Sequence, residues 1–197
     1  MDCYTGVDLA ATSDLTAVAY LVVQDGTYYF KTHYYLPESA LKDKADKELY
    51  KYWKQQGYLT VTSGNVTDYD YITADMLRYA DVVNIQSVGY DKYNATQWAI
   101  DSTEQGLPLE EYPQTLGNFN MPTRELERLI LSGKAVIDNN EINRYCFRNV
   151  TLKSDYNGNV KPNKAVDKKK IDGTIAMIQA LGMYLRNPRF SNEIITI

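Results

Sequence analysis

The chain opens on short apolar runs separated by turn residues. C-Y-T-G-V-D-L-A, residues 3–10, predicts a buried strand ending near Asp8, and T-A-V-A-Y-L-V-V, residues 16–23, predicts a second. Gln24-Asp25-Gly26 is a hairpin signal, and residues 27–35 carry aromatic and β-branched side chains throughout, so an antiparallel three-stranded meander is expected. Pro37 ends that run. Residues 38–56 read as a charged helix with Leu41, Ala45, Leu49, Tyr52 and Trp53 on one face, stopped by Gly57. A loop containing L-T-V-T-S-G-N-V follows, then a helix to about Ala80 with Asp70 as its N-cap. N-I-Q-S-V-G-Y, residues 84–90, is a strand ending at Asp91, and residues 93–105 are a helix closed by Gly106. L-P-L-E-E-Y-P-Q reads as a short strand. Pro122 reads as the start of a helix running to about Ser132 and closed by Gly133. A shorter helix at 139–148 and a hairpin around Asn157-Gly158 come next. Residues 171–185 are apolar nearly all round, which predicts a buried helix. Strands first and alternating helix and strand afterwards imply an α/β domain, a mixed central sheet flanked by helices, over residues 1–197.

Composition narrows the chemistry. The single histidine, His33, lies inside a strand-like run and reads as structural. Catalysis by Ser-His-Asp or Cys-His sets and multi-histidine zinc sites are therefore disfavoured. Cys3 and Cys146 are too few for a disulfide framework, which fits a reducing compartment, and no run of 18 apolar residues suggests a membrane span. A catalytic centre would then be built from carboxylates, which suit hard cations such as Mg²⁺ and Mn²⁺. Charge is uneven. Residues 151–170 hold six lysines against two acids, a local +4, whereas the remainder carries −8 and the whole chain −4. A basic segment on an acidic domain fits a localised polyanion contact, or else a solvated loop.

Three aspartates share a context. Asp8 ends the first strand, Asp91 ends a later one, and Asp172 opens the buried helix. Sites form at the carboxyl ends of strands in α/β sheets. Two carboxylates about 4 Å apart repel by roughly 4 kcal/mol at an effective dielectric near 20, and a divalent cation reverses that sign. Each also has a plainer role open to it: Asp8 accepting backbone amides in its loop, Asp91 capping the next helix, Asp172 complementing a helix dipole.

The wording of these segments adds to this. G-V-D-L-A-A-T-S-D-L-T-A-V-A, V-G-Y-D-K-Y-N-A and K-K-K-I-D-G-T-I-A-M-I-Q-A-L resemble, in this order, the nuclease domain of tailed-phage and prophage terminase large subunits. Between them, Y-P-Q-T-L-G-N-F-N-M-P-T-R-E-L-E-R-L-I-L-S-G-K and R-N-V-T-L-K-S-D-Y-N-G-N-V-K-P-N-K-A resemble the same family. The resemblance implies an RNase H-like fold and a Mg²⁺- or Mn²⁺-dependent endonuclease that cuts concatemeric viral DNA during packaging in the cytoplasm of a bacterial host. By motif it implies Asp8, Asp91 and Asp172 as the catalytic, metal-binding acids, holding two ions when DNA is bound. It implies an auxiliary or structural role for Asp14, in the same loop as Asp8. It also implies that Lys164, Lys168, Lys169 and Lys170 lie near the DNA phosphates if their segment folds toward the site. Gln114 and Asn149 lie in matching segments without an assigned role. The implied partners are double-stranded DNA, the terminase ATPase domain, the small terminase subunit and the portal protein.

No G-x-x-x-x-G-K-[ST] occurs; Ser132-Gly133-Lys134-Ala135 lacks the preceding glycine and the hydroxyl. The chain is therefore expected to be a nuclease domain without the ATPase motor. A junction resolvase or other RNase H-like nuclease, an actin-like nucleotide-binding module and a non-catalytic binding module are the competing readings. Preference for four-way junctions, tight nucleotide binding without cleavage, and absence of metal binding would respectively mark them.

Overall fold

The computed structural model describes residues 1–186 except 13, 43–45, 94, 167 and 168. Strands β1 (Asp2–Asp8), β2 (Thr16–Gln24) and β3 (Thr27–Pro37) form the expected antiparallel meander. The β2–β3 turn puts both Asp25 and Gly26 at positive φ, 51° and 73°, as a tight hairpin requires. Strand β5 (Asn84–Tyr90) pairs parallel with β1, and β6 (Leu109–Glu111) pairs parallel with β5. Two three-residue strands, β4 (Thr60–Thr62) and β7 (Ala135–Ile137), pair parallel with opposite ends of β3. Among the described residues this is one mixed sheet in the order β4-β3-β2-β1-β5-β6, with β7 beside β3. Neither three-residue strand is long enough to print a period on the sequence.

The sheet is covered on both faces. On one side lie α2 (Tyr69–Ala80) and α3 (Thr96–Glu104), whose Ile72, Met76, Trp98 and Ala99 pack on Val7, Val18, Tyr35 and Val88. On the other side α6 (Asp172–Arg186) crosses β1, β2 and β5, flanked by α4 (Leu116–Leu131) and α5 (Glu141–Arg148). Helix α1 (Lys47–Gln55) adds Tyr50 and Trp53 to this second core. Strands β8 (Val150–Ser154) and β9 (Val160–Lys164) form a separate hairpin, turned at Gly158 with φ 79°.

Three boundaries differ from expectation. The helix expected over 38–56 is a 3₁₀ turn, Glu38–Lys42, followed by α1; Ala45 lies outside the described residues. At its start the Ser39 N–H bonds to the Gly64 carbonyl, tying the turn to the next loop. The cap of α2 is Asp68, not Asp70: Asp68 is extended and accepts from the Tyr71 N–H at 3.0 Å. Helix α4 does not start at Pro122 but at Leu116, after a Thr115 cap, with Pro122 inside it. Proline removes the N–H that would bond to the carbonyl four residues back. That carbonyl, on Asn118, instead accepts from the Tyr112 hydroxyl at 2.7 Å.

Glycine lets α6 lie flat on the sheet. A Cβ on Gly6 of β1 would stand 2.1 Å from the Ala176 carbonyl oxygen, and one on Gly89 of β5 would meet Met183 at 2.7 Å. On the helix itself, a Cβ on Gly173 would fall 1.8 Å from the Tyr34 hydroxyl. These approaches fix how α6 sits over β1 and β5 and place its first turn against Tyr34 of β3.

Candidate active site

Strand alternation brings the acids together. Tyr4, Gly6 and Asp8 face α6, whereas Cys3 and Val7 face the opposite core. The β1–β5 register pairs Gly6 with Gly89 and Val7 with Tyr90, so Asp8 and Asp91 follow on neighbouring parallel strands, at their carboxyl ends. Helix α6 contacts Gly6 through Ala176, Gln179 and Ala180. Asp8 lies two residues, about 7 Å, further along β1. Asp172 lies one turn before Ala176, about 6 Å back along α6. The two carboxylates therefore meet where β1 ends and α6 begins.

Their electrostatics agree with this proximity. Burial raises the Asp8 carboxyl well above its ordinary value, and the negative charge of Asp172 raises it further, against the Gln114 amide and Lys164. Burial and then the charge of Asp14 push Asp172 up to about 6, opposed by its own backbone amide and by Lys164 and Lys170. Asp172 is only 6% exposed, and its Oδ2 has no hydrogen-bond partner among the described residues. An unpartnered, buried carboxylate oxygen beside a second carboxylate is costly unless a cation completes the site.

Asp91 is placed differently. Its Oδ1 accepts from the Tyr93 N–H and its Oδ2 from the Gln114 N–H, both at 2.9 Å. Among the described residues, no three Asp, Glu, His or Cys side chains converge as a ready metal cage. Each Asp91 oxygen keeps a lone pair beyond these bonds, so Asp91 could join Asp8 and Asp172 in holding a cation while both amides still hold it. The oxygen donors and the orphaned Asp172 oxygen suit a hard divalent cation.

Asp14 is drawn into a lysine pair. Lys170 Nζ contacts its Oδ1, and Lys164 Nζ stands 3.4 Å from its Oδ2. Burial alone would raise the Asp14 carboxyl, but Lys170 and Lys164 hold it below its ordinary value. Lys170, for which the family resemblance implies a place near DNA phosphates, is turned inward and buried. Lys164 is half-buried, and Lys169 is exposed, its ammonium 5.6 Å from the centre of the Tyr145 ring. Lys168 lies outside the described residues.

Gln114 and Asn149, without an assigned role in the sequence, have different surroundings. Gln114 Nε2 donates to Asp8 Oδ1 at 3.0 Å, and its carbonyl accepts from Lys161 Nζ at 3.1 Å. Its place shortly after a strand at the sheet's active edge is the signal that could have found it. Asn149 is structural: its side-chain amide donates to the carbonyls of Tyr145 and Lys170, and its own carbonyl accepts from the Ala165 N–H. His33 is away from the acids, with Nδ1 3.2 Å from Asp75 Oδ2 and its ring against Tyr20 and Tyr79.

A family model described as terminase large subunit, endonuclease domain, matches residues 1–187. The chain belongs to that family. It is 29% identical over 184 residues to the terminase large subunit of Enterobacteria phage HK97, covering 91% of this chain and 36% of the relative. It is 31% identical over 213 residues to protein YmfN of Escherichia coli K12, covering 98% of this chain and 46% of the relative. The chain thus spans between about a third and a half of the length of these curated relatives. The crystal structure of the HK97 large terminase superposes with a TM-score of 0.83 at 28% identity, over 92% of this chain and 39% of that one. The large terminase nuclease of thermophilic phage G20c shares the fold at 13% identity. Its magnesium-bound form gives a TM-score of 0.61 over 91% of this chain and 79% of that one. The mixed sheet flanked by helices is the RNase H-like fold of terminase nuclease domains. Among the described residues no helix is long and apolar enough to cross a membrane.

Proposed function

We propose that this terminase-family domain is a divalent-metal-dependent endonuclease that hydrolyses DNA phosphodiester bonds, cutting concatemeric viral DNA during genome packaging. The observation that carries this reading is the Asp8–Asp172 pair. Both carboxyls are raised, both lie at the carboxyl edge of the sheet, and one has a buried oxygen without a partner among the described residues. The magnesium held by the G20c relative supports the cation class.

Asp8 and Asp172 would hold Mg²⁺ or Mn²⁺, with Asp91 as the third acid and two ions present once DNA is bound. Such ions supply an activated water and stabilise the charge on the leaving oxygen. Asp14 acts as an auxiliary that holds Lys164 and Lys170 beside the acids without ligating the ions. Lys164 and Lys169, with Lys168 of the same segment, contact DNA phosphates, which position the duplex without reading bases. Lys170 serves the Asp14 pair. The domain, residues 1–197, works with an ATPase motor, a small terminase subunit and a portal, in the cytoplasm of a bacterial host.

Cleavage of supercoiled plasmid with Mn²⁺, Mg²⁺ or EDTA tests this, beside Asp8→Asn, Asp91→Ala and Asp172→Asn. Metal-dependent nicking and linearisation lost in all three variants is expected. An Asp8→Asn protein that still cuts would overturn the assignment.

A further inference from the structure

Gln114 reaches several parts of the site at once. Its side-chain amide donates to Asp8 on β1 at 3.0 Å. Its backbone N–H donates to Asp91 beyond β5 at 2.9 Å. Its carbonyl accepts from Lys161 on the basic hairpin at 3.1 Å. Three separate elements therefore meet on one residue.

The segment carrying it is held on both sides. Tyr112 N–H donates to the Tyr90 carbonyl at 2.6 Å, anchoring the chain beside β5 one residue before Asp91. The Pro113 carbonyl accepts from Asn118 Nδ2 at 2.9 Å and from the Thr115 N–H at 2.8 Å. Thr115 then caps α4, its hydroxyl oxygen 3.3 Å from the Asn118 nitrogen. Gln114 is thus fixed between the last strand of the sheet and a capped helix, so its amide is aimed before any cation arrives.

Its chemistry suits that position. Two carboxylates on adjacent strand ends repel each other and rotate freely unless something orients them. A lysine or arginine here would orient them but cancel the negative charge that a cation needs. A primary amide donates a hydrogen bond and adds no charge. Groups that orient metal ligands from outside the coordination shell change metal affinity about 10–100-fold when removed.

We propose that Gln114 is a positioning residue for the metal centre, setting the orientation of Asp8 through its side chain and of Asp91 through its backbone. This rests on the metal-nuclease reading above. The Gln114→Met variant keeps the length of the side chain and loses the donor, and both backbone hydrogen bonds survive. Gln114→Ala tests the same loss without the added thioether.

Calorimetric titration of the DNA-free protein with Mn²⁺ is the experiment, with wild type, Asp8→Asn, Gln114→Met and Gln114→Ala compared beside their thermal unfolding. Both Gln114 variants should fold and bind Mn²⁺ at least about ten-fold more weakly. The Mn²⁺ concentration for half-maximal plasmid cleavage should rise in step, with cleavage regained at saturating metal. A residue with a merely structural role would lower the melting temperature and leave the Mn²⁺ affinity of the folded protein unchanged, and that result overturns the proposal. If wild type binds no Mn²⁺, or Asp8→Asn binds it as wild type does, the metal-centre reading itself falls. If wild type binds, Asp8→Asn does not, and the Gln114 variants bind like wild type, only the role of Gln114 falls.

Discussion

Replacing Asp172 by asparagine should stabilise the metal-free fold. Asp172 is buried, and burial together with the charge of Asp14 raises its carboxyl from 3.8 to about 6. For an acid with a raised folded value, the native state binds more protons than the unfolded chain between those two values. Stability therefore falls as pH rises from about 4 to about 6, and stays low above it. A tenfold weakening of an acid on folding is worth about 1.4 kcal/mol, so ionised Asp172 costs the fold up to about 3 kcal/mol at pH 7.5. Asparagine carries no charge in either state, and its amide can donate towards the neighbouring carboxylates where Asp172 Oδ2 has no partner among the described residues. For a chain of this size, 1 kcal/mol moves the melting temperature by about 2–4 °C. Asp172→Asn should then melt up to about 6–12 °C above wild type at pH 7.5 in EDTA, and within a degree or two of it at about pH 4. Circular dichroism melts at both pH values give the comparison. Millimolar Mn²⁺ should raise the wild-type melting temperature and leave the variant nearly unmoved. A variant that melts at or below wild type at pH 7.5, or gains equally at both pH values, would refute the reasoning. The stabilised variant should be inactive, because the charge removed is the charge the cation needs.

Other consequences are as concrete. Gly173→Ala places a Cβ 1.8 Å from the Tyr34 hydroxyl, which is itself fixed by a 2.6 Å bond to Asn143, so it should cost about 1–3 kcal/mol in denaturant unfolding. Tyr34→Phe in the same chain should make the two losses less than additive. Asp75 lies against His33 and accepts from Tyr35 and Arg78, and these partners hold its carboxyl far below the ordinary range. A depressed acid contributes stability above its unfolded value, lost as pH falls through about 4 and below. Asp75→Asn should thus cost roughly 1–3 kcal/mol at pH 7 and less at pH 3, measured by urea unfolding. Replacing Lys164 and Lys169 by glutamine should weaken DNA binding on every sequence and reduce the slope of log K against log salt by up to about 2. An unchanged slope would take both side chains off the phosphates.

Much of the fold is legible in the sequence because it is written in local periodicity. The meander of β1 to β3, the strand ending at Asp91 and the buried α6 each carry a pattern long enough to read. The boundaries that moved were decided by contacts from elsewhere. Pro122 sits inside α4 because Tyr112 takes the carbonyl that proline strands. The 3₁₀ turn at Glu38–Lys42 goes with a bond from the Ser39 N–H to the Gly64 carbonyl. Strands β4 and β7 exist because β3 offers them an edge at each end. The site divides in the same way. Residue type, with strand-end position for Asp8 and Asp91 and helix-start position for Asp172, singles out three carboxylates suited to a hard cation. Only the β1–β5 register and the glycine-permitted seating of α6 decide that Asp8 meets Asp172, that Asp91 turns to backbone amides, and that Lys170 faces Asp14. Local sequence fixes which side chains an element presents. Distance between elements depends on packing across the whole sheet, and that is where charge repulsion, cation affinity and the reach of Gln114 are set.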